Sequence, residues 1–300
     1  CPETLPPSLR LRHQLCERNF ALRQAHFPDS RENLALALRR IFFEGMLLYQ
    51  AAAVALRGER KAGVVIPAGE ADCRAYWQSL PFPPTGAQQR VLAEIAADLS
   101  APQAMGRLVQ GDVGCGKTAL AFGAMFLAAR AGYQSALMAP TEILARQHLE
   151  SARKTLEPLG IRCGLLLGGM KAKDRREALE QIASGGWQAV IGTHALISEG
   201  VQYQHLGLVV TDEQHRFGVR QRRMLSLKAA EAPNELVLSA TPIPRSLALV
   251  LYGDLDVSRI DQMPPGRQRV DTFVVDESYR ARLDAFIRKN VAAGGQVYIV

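Results

Sequence analysis

The chain has 300 residues, 48% hydrophobic and 22% charged, with 36 basic and 29 acidic residues giving a net charge of +7 and a pI of about 9.3. Those proportions exclude a disordered polyelectrolyte, and no apolar stretch approaches the ~18 uninterrupted residues of a membrane helix. The positive excess suits a polyanionic partner such as nucleic acid, while five scattered cysteines without a C-x-x-C pair indicate neither a zinc site nor a disulfide framework and favour a reducing, cytoplasmic setting.

The N-terminus starts at Cys1, without a signal-peptide layout, and two helical stretches are predicted, Leu9–Arg23 and Ser30–Arg57. Ser30 reads as an N-cap, and Leu34, Leu38, Ile41, Phe42, Gly45, Leu48 and Ala52 share one face at i, i+3, i+4 spacing, a packing stripe. Pro81-Phe82-Pro83-Pro84-Thr85 breaks the chain, with Thr85 able to cap the next helix.

From Thr85 to about Tyr252 short apolar runs alternate with amphipathic ones. Strands are expected at 107–110, 135–139, 163–167, 189–192, 206–211 and 236–239, and helices at 142–156 and 174–183 among others. Alternation of this kind implies an α/β lobe, a parallel sheet with helices on both faces. After the first strand stands Gly111-Asp112-Val113-Gly114-Cys115-Gly116-Lys117-Thr118, a G-x-x-x-x-G-K-T phosphate loop. Gly111, Gly114 and Gly116 let backbone N–H groups curl around an anion at a helix N-terminus. Lys117 would reach the β- and γ-phosphates and Thr118 would ligate Mg²⁺. The apolar run ending at Asp212-Glu213 delivers two acids to a strand end, the first for Mg²⁺ and the second to take a proton from the attacking water. After Pro264-Pro265-Gly266, a strand at 270–275, a helix at 279–291 and a final run at 297–300 suggest a second unit. Both ends suggest a fragment.

Asp212-Glu213-Gln214-His215 resembles motif II of the second helicase superfamily, and companions occur in order: Pro140-Thr141-Glu142 resembles motif Ia, Gly168-Gly169 Ib, Gly192-Thr193-His194 Ic, and Ser239-Ala240-Thr241-Pro242 motif III. Longer strings, Arg107 to Gly114, Met138 to Glu142, Asp212 to Val219 and Ala240 to Arg245, are similar to the RecG family of branch-migrating DNA helicases. Arg40-Ile41-Phe42-Phe43-Glu44 resembles that family's connector, and Ile260-Asp261 with Pro264 to Arg267 its inter-domain segment.

The resemblance implies a helical connector at 1–80 after a wedge domain, a RecA-like P-loop NTPase lobe at 81–262, and a linker with the beginning of a truncated second lobe at 263–300. It further implies ATP and Mg²⁺ as cofactors, forked or branched DNA as partner, and a monomeric, cytoplasmic motor without membrane contact. Phe82 would stack on adenine and Gln88 read its edge. Pro140, Thr141, Gly168, Gly169 and Thr193 would hold the DNA backbone, and Gln214, His215, Ser239 and Thr241 would couple the two sites. Bland readings stay open: helix capping for Thr141 and Thr193, packing for Phe82, an ordinary exposed helix position for Gln88, a plain turn for Gly168-Gly169, a structural histidine at 215, a solvated face for Arg216, Arg220, Arg222 and Arg223. The motor lobe of a transcription-repair coupling translocase is an alternative, though it usually carries Asp-Glu-Glu at motif II. A further alternative is a non-helicase P-loop nucleotide switch.

Overall fold

A computed structural model of the chain describes residues 1–56, 62–198, 200–212, 231–239, 255–264 and 272–299, and it divides into two units, residues 1–264 and 265–300. The first is built on seven strands: β1 (Gly106–Gly111), β2 (Gln134–Met138), β3 (Cys163–Leu166), β4 (Ala189–Gly192), β5 (Leu206–Asp212), β6 (Asn234–Ser239) and β7 (Asp256–Ile260). They pair in the order β3-β4-β2-β5-β6-β1-β7, every pair parallel. Runs such as Leu208-Val209-Val210 are buried on both faces, as strands covered by helices on both sides must be. The expected α/β lobe is therefore present, and its six expected strands agree with the observed ones to within two residues at each end. The seventh, β7, was not foreseen. Its sequence Asp256-Val257-Ser258-Arg259-Ile260 holds only two apolar residues, Val257 and Ile260, and so lacks both the continuous apolar run of the inner strands and a period-two pattern.

The covering helices are α4 (Glu70–Gln78), α5 (Gly86–Leu99), α6 (Lys117–Arg130), α7 (Glu142–Leu156) and α8 (Ala172–Ala183). Helix α6 is buried along most of its length, from Leu120 to Ala128, and its small residues Ala121, Ala124 and Ala128 fit it between the sheet and its helical neighbours. Val64, Ile66, Cys73, Tyr76 and Trp77 join the same core as α5 and α6, so the chain from 64 to 77 packs on the lobe. Asn234, fully buried at the start of β6, accepts a hydrogen bond from Met105 N and donates to the carbonyls of Val64 and Gly207.

Two corrections concern the N-terminal helices. The expected helix at 9–23 is two, α1 (Pro7–His13) and α2 (Arg18–His26). Gln14 takes a left-handed conformation, φ 51°, and the N–H of buried Leu15 returns to Arg10 O, which ends the helix as a C-cap would. The long helix α3 (Arg31–Leu56) is capped as expected, with Ser30 Oγ accepting from Asn33 N at 3.1 Å. Its expected packing stripe is not the buried one, since Phe42 is 68% and Leu48 64% exposed. Helix α2 instead meets the face bearing Ala37 and Arg40. Apolar residues occur on every side of α3, so periodicity alone did not select a face.

Arg40, 1% exposed, is surrounded by Glu3, Glu44 and the Cys16 carbonyl, which pins the N-terminal segment to α3. The N–H of Leu5 first, then those of Arg18 and Thr4 with the Arg40 charge, hold the Glu3 carboxyl down to about 2, against burial. A depressed folded pKa stabilises above the unfolded value near 4.5 and is lost as pH falls toward about 2. Glu3→Gln should therefore lower the melting temperature at pH 7 and shrink the further loss between pH 5 and pH 2.5. Thermal unfolding followed by circular dichroism checks both, and an unchanged acid slope contradicts the assignment.

In the second unit a 3₁₀ turn (Glu277–Tyr279), capped by Asp276, leads into helix α9 (Arg280–Ala292), close to the expected helix. The expected strands at 270–275 and 297–300 are not formed over the described residues 272–275 and 297–299. A strand needs a neighbour for its N–H and C=O groups, and among the described residues of this unit there is none.

Candidate functional site

All seven strands being parallel, their carboxyl ends share one edge of the sheet, where ligands of such folds are held. The edge has two halves. On β1, β6 and β5 stand the phosphate loop, Ser239 and Asp212; on β2, β4 and β3 stand Pro140-Thr141, Thr193 and Gly168-Gly169.

The loop leaves β1 and enters α6 as its motif requires. Gly114 and Gly116 have φ of 80° and 92°, a region that glycine enters without strain. A Cβ on Gly116 would also fall 2.2 Å from Gln88 Nε2. Lys117 Nζ donates to Gly111 O at 2.7 Å and Asp112 O at 2.9 Å, so its ammonium lies across the mouth of the loop. Thr118 follows in the first turn of α6. The loop glycines, the ammonium and the helix N-terminus fit a triphosphate. The Thr118 hydroxyl and the Asp212 carboxylate are oxygen groups of the kind that could hold Mg²⁺ when phosphate and water supply the other ligands.

Gln88 lies behind the loop, 2% exposed. Its Oε1 accepts from Thr85 N at 2.8 Å while Thr85 Oγ1 accepts from Gln88 N at 3.2 Å, a capping box on α5. Its Nε2 donates to Cys115 O at 2.8 Å. Both ends of the amide are thus engaged within the chain, and the helix cap doubles as a tether on the phosphate loop. Phe82 is 47% exposed.

The cap has a further contributor that sequence reasoning missed. Gln262 Oε1 accepts from Ala87 N at 3.0 Å, and Arg90 donates to Arg259 O and Asp261. The segment after β7 is thereby fastened to α5. Arg107 of β1 likewise joins Asp98, Glu94 and Ser258. Nothing in their local spacing distinguished these residues, because the partners lie up to 175 residues apart.

Asp212 ends β5, its carboxylate 2.8 Å from His148 Nε2 on α7. An ionised carboxylate only accepts, so the imidazole donates. His148 was also missed, although it falls on the buried stripe Ala145, His148, Ala152, Leu156, where a polar residue signals a partner. Ser239 is buried at the end of β6, opposite Gln110 of β1. Glu213, Gln214, His215, Thr241 and the arginines at 216, 220, 222 and 223 lie outside the described residues.

On the other half, Thr141 caps α7, its Oγ1 accepting from Leu144 N at 3.3 Å, and Pro140 precedes it at the end of β2. The Gly168-Gly169 turn after β3 is exposed, and Gly169 N donates to Glu142 on the same helix. Thr193 is buried, and its hydroxyl has no partner among the described residues. The five cysteines are free, and among the described residues no helix is long and apolar enough to cross a membrane.

Residues 85–250 match the DEAD/DEAH box helicase family. The chain is 45% identical over 302 residues to the ATP-dependent DNA helicase RecG of Bacillus subtilis, covering 100% of this chain and 44% of that protein. It is 46% identical over 302 residues to RecG of Synechocystis, covering 99% of this chain and 36% of the relative. A solved structure of RecG bound to a three-way DNA junction matches with a TM-score of 0.82 at 38% identity, covering 99% of this chain and 40% of that one. The chain spans less than half the length of these relatives.

Proposed function

The chain belongs to the DEAD/DEAH box helicase family, and from that membership we propose that it is the nucleotide-binding lobe, with its connector, of an ATP-dependent DNA helicase that migrates branches and reverses forks. The strongest support is the division of one sheet edge into a phosphate-loop half and a half bearing threonines and glycines at three adjacent strand ends. Groups of the second kind grip a nucleic-acid backbone without reading bases, as translocation along any sequence demands.

In this reading Lys117 leaves the carbonyls of Gly111 and Asp112 for the β- and γ-phosphates. Thr118 and Asp212 hold the metal, and Glu213 takes a proton from the attacking water. Magnesium, when bound, would supply positive charge that offsets the charge developing on the phosphates. Phe82 stacks on the adenine; Gln88 reads its edge by exchanging its contacts with Thr85 or Cys115 for the base. Gln214, His215, Ser239 and Thr241 carry the nucleotide state toward Pro140, Thr141, Gly168, Gly169 and Thr193, which hold DNA phosphates. The motor works as a monomer in the cytoplasm, where its five free cysteines stay reduced.

A motor lobe without its partner lobe is expected to hydrolyse ATP weakly or not at all, so the test is hydrolysis of ATP by the full-length protein, with and without forked duplex DNA. The rate should rise on adding DNA, and the stimulation should weaken steeply with salt because phosphate contacts release counterions. Hydrolysis indifferent to DNA would favour a nucleotide switch instead.

A further inference from the structure

Helix α7 touches both halves of the edge. It begins at Thr141, the N-cap proposed to hold a DNA phosphate, and seven residues later it presents His148 to Asp212, proposed to hold magnesium. At 1.5 Å rise per residue the two points lie roughly 10 Å apart along one rigid helix. Resting on the function proposed above, we infer that His148 is a positioning residue, which aims the Asp212 carboxylate and ties it to the DNA-side helix.

Three observations support this. The contact is short, 2.8 Å, and both side chains are nearly enclosed, 11% and 15% exposed, so water competes poorly for either. Asp212 belongs to β5, whereas α7 follows β2, so the contact crosses from the nucleic-acid half to the nucleotide half. The start of α7 is also fastened to the other DNA-side loop, because Glu142 accepts from Gly169 N at 3.4 Å. A movement of Thr141 and Gly169 on a DNA backbone is thus delivered to the carboxylate through helix, imidazole and hydrogen bond. By reciprocity, a metal-bound nucleotide at Asp212 alters the grip on DNA by the same factor.

A hydrogen bond to a metal-binding carboxylate typically alters metal affinity 10–100-fold when removed. The full chain is titrated with a fluorescent ADP analogue, in magnesium and in EDTA, and with forked DNA with and without Mg-ADP. His148→Ala should weaken the analogue about tenfold in magnesium and leave binding in EDTA unchanged. His148→Gln, which presents an amide N–H where Nε2 stood, should restore most of the loss. The ratio of DNA affinities with and without Mg-ADP should collapse toward one in His148→Ala. Equal weakening in magnesium and EDTA would mean a general loosening, and no weakening in either would mean an idle contact; both overturn the inference. If His148→Ala does not fold, His148→Asn, too short to reach Asp212, takes its place. Wild-type chain that binds the analogue without regard to magnesium overturns the function proposed above and this inference with it. Wild type that depends on magnesium beside a variant that matches it overturns this inference alone.

Discussion

Replacing Lys117 with alanine should reduce ATP hydrolysis by the full-length protein about 10²–10³-fold, the usual loss when one charged contact to developing transition-state charge is deleted. Its ammonium is held by two carbonyls of its own loop, Gly111 O and Asp112 O, so among the described residues it is the cation that the loop itself presents. Those contacts pair the ammonium with uncharged carbonyls at a partly exposed mouth where water can take its place, so losing them costs little stability. The expected signature is therefore dissociated: hydrolysis collapses while the melting temperature stays within a degree or two. Arginine should not rescue, because a planar fork cannot occupy the space of a compact ammonium inside the loop. Steady-state hydrolysis with thermal unfolding of the same preparations decides it, and a Lys117→Ala chain retaining most of its activity would remove the phosphate loop from the mechanism.

The largest stability effect is expected far from the nucleotide, at Asn234. Its amide satisfies Met105 N, Val64 O and Gly207 O, and it is fully buried, so no water replaces it in a truncated variant. Asn234→Ala leaves three backbone groups unpaired at about 1–3 kcal/mol each, partly relieved by relaxation, for a net cost on the order of 3–5 kcal/mol. Asn234→Asp keeps the acceptor for Met105 N but turns a carboxylate toward two carbonyls and should be no better. The midpoint of urea unfolding measures the cost, and a shift below ~1 kcal/mol would show that the network is dispensable.

The sheet was legible because its strands are continuous apolar runs ending in turn residues, as Leu208-Val209-Val210 shows, and the phosphate loop because its spacing is dictated by an anion. The cap at Thr85 and the start of α7 at Thr141 were legible for the same local reason. The break at Gln14 escaped because a left-handed residue that is not glycine leaves no compositional mark. The buried face of α3 escaped because it is chosen by α2, a partner that the helix's own pattern does not name. His148, Gln262 and Arg90 escaped for a further reason: each acts through contacts to residues remote in sequence, and only the folded sheet brings the partners together.

The phosphate loop ends β1 and the Asp212 carboxylate ends β5, yet the two strands are not neighbours, because β6 is inserted between them. At 4.7–4.9 Å per strand the ends of β1 and β5 are held about 9.5 Å apart. Strand β6 is thus a ruler: its width keeps the two strand ends from closing on one another, and Ser239 stands between them.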